Sequence, residues 1–154
     1  MSAALTTTPF AMKAALEAAE RAGERGEVPV GAALAGPDGR LVAVDGNRVE
    51  ELRDPTAHAE MLVLRAACNR LGTPRLVGCD LYVTLEPCPM CAQALAFARI
   101  RRLYYGAEDP KGGGVDHGPR VLAATSCHHR VEVYGLIAET QSARLLRDFF
   151  KARR

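Results

Sequence analysis

Two spacings of apolar positions alternate along this chain, and each change of spacing marks a new element. Phe10 to Ala22 is rich in Ala, with Met12 and Leu16, a helix-forming composition; Gly23 and Gly26 mark its exit. Thr8 is placed to cap this helix, with Pro9 in the first turn, where a missing N–H costs nothing. Val28 to Ala35 is a compact apolar run, Gly36-Pro37-Asp38-Gly39 is a turn, and Leu41 to Val44 is apolar again. Those signals predict a β-hairpin. Asp45-Gly46-Asn47 closes its second strand, and Arg48 to Pro55 reads as a charged loop. Pro55 biases Asp54 away from helix, which makes Thr56 the expected N-cap of the next one.

Steps of four and three through Ala57, Met61, Leu64, Cys68 and Leu71 predict one apolar helical face, ended by Gly72 and Pro74. Asp80 to Leu85 is a short strand. Cys88 then stands at the mouth of a helix, with Pro89 in its first turn and Cys91, Ala94, Leu95 and Ala98 along one face. Leu103 to Gly106 predicts a further strand, and Glu108 to Gly118 a glycine-rich loop. Val131 to Leu136 predicts a last strand and Glu139 to Lys151 a last helix. With no repeat and no linker, residues 1–154 read as a single domain. Strands alternating with helices imply an α/β fold whose sheet is covered on both faces. Ligands of such sheets bind beyond the C-terminal ends of strands, where the segments Thr56–Glu60 and Thr84–Cys91 are expected to converge.

Composition narrows the class. An apolar fraction of 48% with 25% charged residues is that of a soluble globular protein, and without Trp the core falls to Ala, Leu and Val. Five cysteines at irregular spacing do not form a disulfide framework. Met1 to Thr8 lacks the basic and apolar regions of an export signal, and no segment approaches the roughly 18 apolar residues of a membrane span. A cytoplasmic protein with reduced thiols, free for metal, is expected. The net charge of +2 is too small to announce nucleic-acid binding by itself.

Candidate chemistry concentrates in four residues. Cys88 and Cys91, three apart at a helix start, can face one point, and a helix N-terminus favours their thiolates. Alone, the pair fits a metal site, two small buried residues or a redox Cys-x-x-Cys. His58 and Glu60, two apart, share no face of an ideal helix and meet only at a helix end. Taken together, one His and two Cys leave the fourth tetrahedral position of zinc open, as catalytic sites do. Water there has a pKa near about 7, and a carboxylate that is not a ligand can carry its protons. A closed structural site would instead draw a fourth ligand from Cys127, His128 or His129, and would leave Glu60 idle.

His58-Ala59-Glu60 followed by Pro87-Cys88-Pro89-Met90-Cys91 matches the general signature of zinc-dependent nucleobase deaminases. Glu27 to Ala32, Asp54 to Glu60, Leu81 to Cys88, Gly106 to Lys111, Asp148-Phe149-Phe150 and Arg153-Arg154 resemble the bacterial tRNA-specific adenosine deaminases. The resemblance implies a cytidine-deaminase-like, three-layer α/β/α fold around a mixed five-stranded sheet. It implies one Zn2+ per subunit on His58, Cys88 and Cys91, with Glu60 as general acid/base. The implied reaction is hydrolytic deamination of adenosine to inosine at the tRNA wobble position: a zinc-activated hydroxide attacks C6, Glu60 protonates N1, and ammonia leaves. The implied partners are a tRNA anticodon stem-loop and a second copy of the chain, without a membrane. Substrate contacts are implied at Asn47, Ala59, Leu85, Asp109, Lys111, Phe149 and Arg153.

Several of these positions carry a plainer reading. Asn47 also suits an ordinary turn, and Lys111 a solvated surface. Gly112-Gly113-Gly114 reads as a flexible loop bordering the pocket, without the spacing of a phosphate loop. Arg144, Arg147, Lys151, Arg153 and Arg154 outnumber Glu139 and Asp148 beside Phe149 and Phe150, which fits single-stranded RNA. Alternatively those aromatics pack the helix, with one expected in the core. Pro89 between the cysteines is also found in guanine and other free-base deaminases, so a deaminase of free bases or nucleosides (guanine, cytosine, adenosine) is the alternative. A non-catalytic zinc module is a third reading, and Glu60 speaks against it.

Overall fold

Five strands form one mixed sheet in the order β2-β1-β3-β4-β5. They are β1 (Gly31–Ala35), β2 (Leu41–Gly46), β3 (Asp80–Leu85), β4 (Arg102–Ala107) and β5 (Glu132–Tyr134). The helices are α1 (Phe10–Glu24), α2 (Val49–Leu52), α3 (Ala59–Leu71), α4 (Pro89–Phe97) and α5 (Glu139–Ala152). The computed structural model describes residues 8–153; most of the segment read as lacking an export signal, and Arg154 of the basic cluster, lie outside the described residues. β1 runs antiparallel to β2 and β3, while β3, β4 and β5 are parallel. The C-terminal ends of β2, β3 and β4 therefore share one edge with the entry to β1, which is where a site is expected.

The period of two in the strands sorts side chains onto two faces. Ala32 and Leu34, Leu81 and Val83, and Leu103 and Tyr105 face Val63 and Ala67 of α3 and Leu95 of α4 in one buried cluster. On the opposite face Ala33 packs with Ala11, Met12 and Ala15 of α1. There α5 is drawn onto β4 at Gly106, where an added Cβ would lie 2.9 Å from that of Ser142. The result is the three-layer α/β/α arrangement with a mixed five-stranded sheet.

The seat of α1 depends on two glycines paired across strands, Gly31 and Gly46. A Cβ on Gly31 would lie 2.6 Å from the backbone nitrogen of Ala19, and one on Gly46 2.6 Å from the carbonyl oxygen of Ala18. With Ala15, Ala18, Ala19 and Ala22 all buried, helix backbone meets strand backbone with almost no side chain between. That close packing fills the core of a chain short of large residues.

Several boundaries differ from the pattern. Pro9, not Thr8, is the N-cap of α1, without a side-chain cap, and left-handed Gly26 lies just beyond its end. α3 begins at Ala59 with His58 as N-cap, because Thr56 is engaged in a turn; its N–H and hydroxyl both donate to Asp54 Oδ1, at 2.8 and 2.7 Å. The face α3 buries is Ala59, Glu60, Val63, Leu64 and Ala67, leaving Leu71 exposed, because a second apolar stripe through Val63 and Ala67 meets the sheet. The loop expected from Arg48 to Pro55 contains α2, whose Glu50 and Glu51 N–H groups donate to buried Glu27 at 3.0 and 2.8 Å. β5 is three residues long, and Leu136 beyond it is left-handed, which breaks the extended run. No described helix is long and apolar enough to cross a membrane.

Gly31→Ala is expected to lower stability by about 3 kcal/mol, because backbone on both sides must move. Gly36→Ala, whose Cβ would meet nothing nearer than 3.4 Å, should stay within about 1 kcal/mol. Urea unfolding midpoints compare the two, and equal midpoints would contradict the seat described for α1.

Candidate active site

Beyond the end of β3, Glu86 and Pro87 lead to Cys88, the N-cap of α4, with φ −70° and ψ 170°. Pro89 opens that helix and Cys91 lies in its first turn. His58 holds the matching position on α3, extended at φ −71° and ψ 152°, with Glu60 in the first turn. The His-x-Glu spacing works because the histidine stands outside the helix and the glutamate inside it. His58 Nδ1 lies 3.6 Å from Cys88 Sγ and 3.5 Å from Cys91 Sγ. Ligand atoms of the three residues all lie within 4.8 Å of one another, the only such group among the described residues. Cys127 and His129 instead meet backbone carbonyls, those of His129 at 3.3 Å and Ile100 at 2.7 Å. None of Cys127, His128 and His129 joins the cluster, so no closed four-ligand site forms among the described residues.

Two helix N-termini face this cluster and favour anions there. The Cys91 thiol, and then His58, hydrogen-bond the Cys88 sulfur and bring it down to about 4 against its burial. Cys91 is driven up in turn by the Cys88 thiolate and by burial. His58 is raised chiefly by its bond to Cys88. Glu60 is only 4% exposed, and burial pushes its carboxyl up to about 7. Two crowded sulfurs that cannot both ionise alone, with an imidazole beside them, are a donor set that a zinc ion satisfies by taking both thiolates. Glu60 is not one of the three grouped donors, but it lies beside them, accepting a hydrogen bond from the Cys91 thiol.

A cavity of about 280 Å³ opens over the cluster. His58, Ala59, Glu60 and Cys88 line it on one side, Val28, Val30 and Asn47 on another, and Leu85, Asp109 and Gly112 on a third. Of the expected substrate contacts, Asn47, Ala59, Leu85 and Asp109 thus come together around one space. Lys111, Phe149 and Arg153 do not line it. Arg153 lies over the Phe149 ring, 3.5 Å from its centroid. Neither Phe is in the core: Phe149 is half-buried and Phe150 is 48% exposed, because α5 meets the sheet through the small Ser142. Asn47 is held by its backbone, its N–H donating to Val30 at 3.0 Å and its carbonyl accepting from Arg25 at 3.1 Å. Its buried Oδ1 has no hydrogen-bond partner among the described residues, which leaves that oxygen available to a ligand.

Three lining residues escape the sequence pattern. Val28 and Val30 look like core, and only the sheet edge turns them toward the cavity. Glu86 is buried and receives five hydrogen bonds from the loop that follows β4. Burial alone would raise its carboxyl, but the N–H groups of Asp109, Asp116 and Val115, together with His117, hold it below the usual range. His117 is raised by the same contact. Gly113 and Gly114 serve close packing rather than the flexibility expected of them. A Cβ on Gly113 would lie 2.6 Å from the Glu86 carboxyl carbon, and one on Gly114 2.6 Å from Pro89 Cα. The available signal was an acidic residue at the end of an apolar strand, facing a glycine run rich in N–H donors.

The model of the cytidine and deoxycytidylate deaminase zinc-binding region matches residues 6–107. The chain is 59% identical over 143 residues to the tRNA-specific adenosine deaminase of Agrobacterium fabrum, 93% of each chain. Against the tRNA-specific adenosine deaminase of Aquifex aeolicus the identity is 48%, over 92% of this chain and 93% of that one. A solved structure from studies of A-to-I editing by tRNA:A34 deaminases at the wobble position of transfer RNA superimposes with a TM-score of 0.86. Its identity is 59%, covering 88% of this chain and 98% of that one. The shared zinc-binding segment carries both helix starts of the cluster, and the full-length identity extends through the loop and helix beyond it. On those grounds the chain belongs to the zinc-binding cytidine and deoxycytidylate deaminase family, among its bacterial tRNA-specific adenosine deaminases.

Proposed function

We propose that the chain deaminates adenosine to inosine by hydrolysis at the wobble position of a tRNA anticodon. The observation that carries this is the pairing of the His58, Cys88 and Cys91 cluster with buried Glu60 under one base-sized cavity. A zinc ion, which His58, Cys88 and Cys91 would hold, would supply the Lewis acidity that brings a water near a pKa of about 7. Glu60 takes a proton from that water and delivers it to ring N1. As the oxygen bonds to C6, Glu60 relays that oxygen's remaining proton to the amine, and the C6–N bond breaks to release ammonia and leave the C6 carbonyl. Val28, Val30 and Leu85 cover the faces of the base and exclude bulk water. The free amide of Asn47 accepts and donates along the purine edge. A base seated this deep must leave its anticodon stack, so the stem-loop bears on surface outside the cavity, for which exposed Lys111 and Arg153 and half-buried Phe149 are the candidates.

A second copy of the chain belongs to this reading. Phe97 is 70% exposed beside a groove between α3 and α4 lined by Leu64, Cys68, Pro74 and Ala94. An open aromatic beside an apolar groove is the kind of surface a partner covers, and α3 and α4 both begin in the active site. With tRNA as substrate the protein works in the cytoplasm.

Deamination of an anticodon stem-loop is expected to exceed that of free adenosine, guanine or cytosine by about 10³-fold or more in kcat/KM, read as ammonia released. Comparable turnover of a free base would replace this reading with the free-base one. Glu60→Gln should keep one zinc per chain while losing about 10³-fold in rate, whereas Cys88→Ala should lose the metal. Metal analysis beside single-turnover kinetics separates the two, and a Glu60→Gln protein that still turns over would remove the proton-carrying role. Phe97→Glu should convert a dimer to a monomer by sedimentation equilibrium; an unchanged mass would place the second copy elsewhere.

A further inference from the structure

The loop from Asp109 to His117 is pinned at both ends by one buried side chain. Glu86 Oε1 accepts from the Asp109 N–H at 3.0 Å and pairs with His117 Nδ1 at 2.7 Å. Oε2 accepts from the N–H groups of Val115, Asp116 and His117, at 3.2, 3.0 and 3.1 Å. No donor comes from Glu86's own element; all five come from the far side of β4. Between the pinned ends the loop folds on itself, with Gly112 N–H donating to Asp109 Oδ1 at 2.9 Å and Gly114 N–H to Pro87 O at 2.8 Å. Asp109 and Gly112, on the held segment, form one wall of the cavity.

We propose that Glu86, with His117, is a positioning residue: it holds the loop from Asp109 to His117 as a preformed wall for the target base. The proposal rests on the wobble-deaminase reading for its substrate, but its structural half does not. A buried carboxylate needs several donors, and a glycine run supplies backbone N–H groups without side chains in the way. Gly113 is part of the fit, since any Cβ there would strike the carboxylate. Glu86 also lines the cavity, but all five of its hydrogen bonds go to the loop, so its hold on the substrate is exerted by placing Asp109 and Gly112.

Glu86→Gln keeps the volume but turns an N–H2 group toward N–H donors, and so should release the loop. Hydrogen exchange on the RNA-free, zinc-loaded protein should show the amides of Asp109, Val115, Asp116 and His117 exchanging about tenfold faster or more. The amides of α4 should stay protected and zinc should stay at one per chain. On an anticodon stem-loop, KM should rise about tenfold with kcat changed less than about threefold. A purely structural role would lower the active fraction without moving KM. His117→Ala, which removes one donor of five, should give a smaller rise in KM, and His117→Asn, whose amide nitrogen occupies the place of Nδ1, should reverse it. Unchanged loop exchange, loss of zinc, or a fall in kcat alone would overturn the proposal. A wild-type chain inactive on RNA would sink the wobble reading, while the exchange result would still decide whether Glu86 holds the loop.

Discussion

Burying a carboxylate is costly unless donors replace its water, and three carboxylates are buried near one sheet edge in this chain. Each solves the problem differently, and the differences set up the site. Glu27 accepts the N–H groups at the start of α2, which fixes the segment leading away from Asn47. Glu86 accepts five bonds from the loop after β4, which fixes the opposite wall. Glu60 gathers no such shell, and burial brings it up to about 7. A carboxylate held by five donors is a structural tie, whereas Glu60, with fewer donors to offset its burial, is the one whose carboxyl is raised. The cavity thus lies between two fixed acids and over one that can titrate.

The helix starts give the arrangement its polarity. Parallel β3 and β4 deliver their C-terminal ends to one edge, and α3 and α4 both begin there. The two N-termini supply positive potential where two sulfurs must become thiolates. The cysteines therefore sit at and just inside a helix start, and the histidine sits just before one. An antiparallel β1 adds Val28 and Val30 from the other direction, so the same edge also obtains an apolar wall.

How much of this could be read from the chain depends on how local each interaction is. The strand and helix order was legible because it is written in periods of a few residues. His58, Glu60, Cys88 and Cys91 were legible because each pair lies within one turn and the donor chemistry is unusual. Thr56 misled because its partner, Asp54, competes with the helix start for its hydroxyl. Glu86 was invisible because its partners lie 23 to 31 residues away and four of the five are backbone N–H groups, which no residue type announces. Gly112 to Gly114 looked flexible for the same reason: glycine marks both freedom and close approach, and only the neighbour at Glu86 or Pro89 distinguishes them. One of Phe149 and Phe150 was expected in the core, and neither is, because burial depends on which turn of α5 meets the sheet, and Ser142 takes that place.

The same geometry explains why the chemistry is easier to read than the substrate. The His58, Cys88 and Cys91 donor set and Glu60 are confined to two helix starts, and their residue types alone announce a chemistry. The walls of the cavity are built from ordinary residues: an asparagine after a strand, two valines, and a glycine loop. Those residues act through placement, and placement comes from Glu27, Glu86 and the Gly31–Gly46 seat of α1. An RNA substrate adds a requirement a free base does not, since the rim must receive a strand while the floor receives one nucleotide. Arg153 stacked on Phe149 at the exposed end of α5 leaves a charged, planar surface available outside the cavity. A chain evolved to close over a free base would gain nothing from leaving that surface open, so the rim and the floor together favour an extruded nucleotide of an RNA loop.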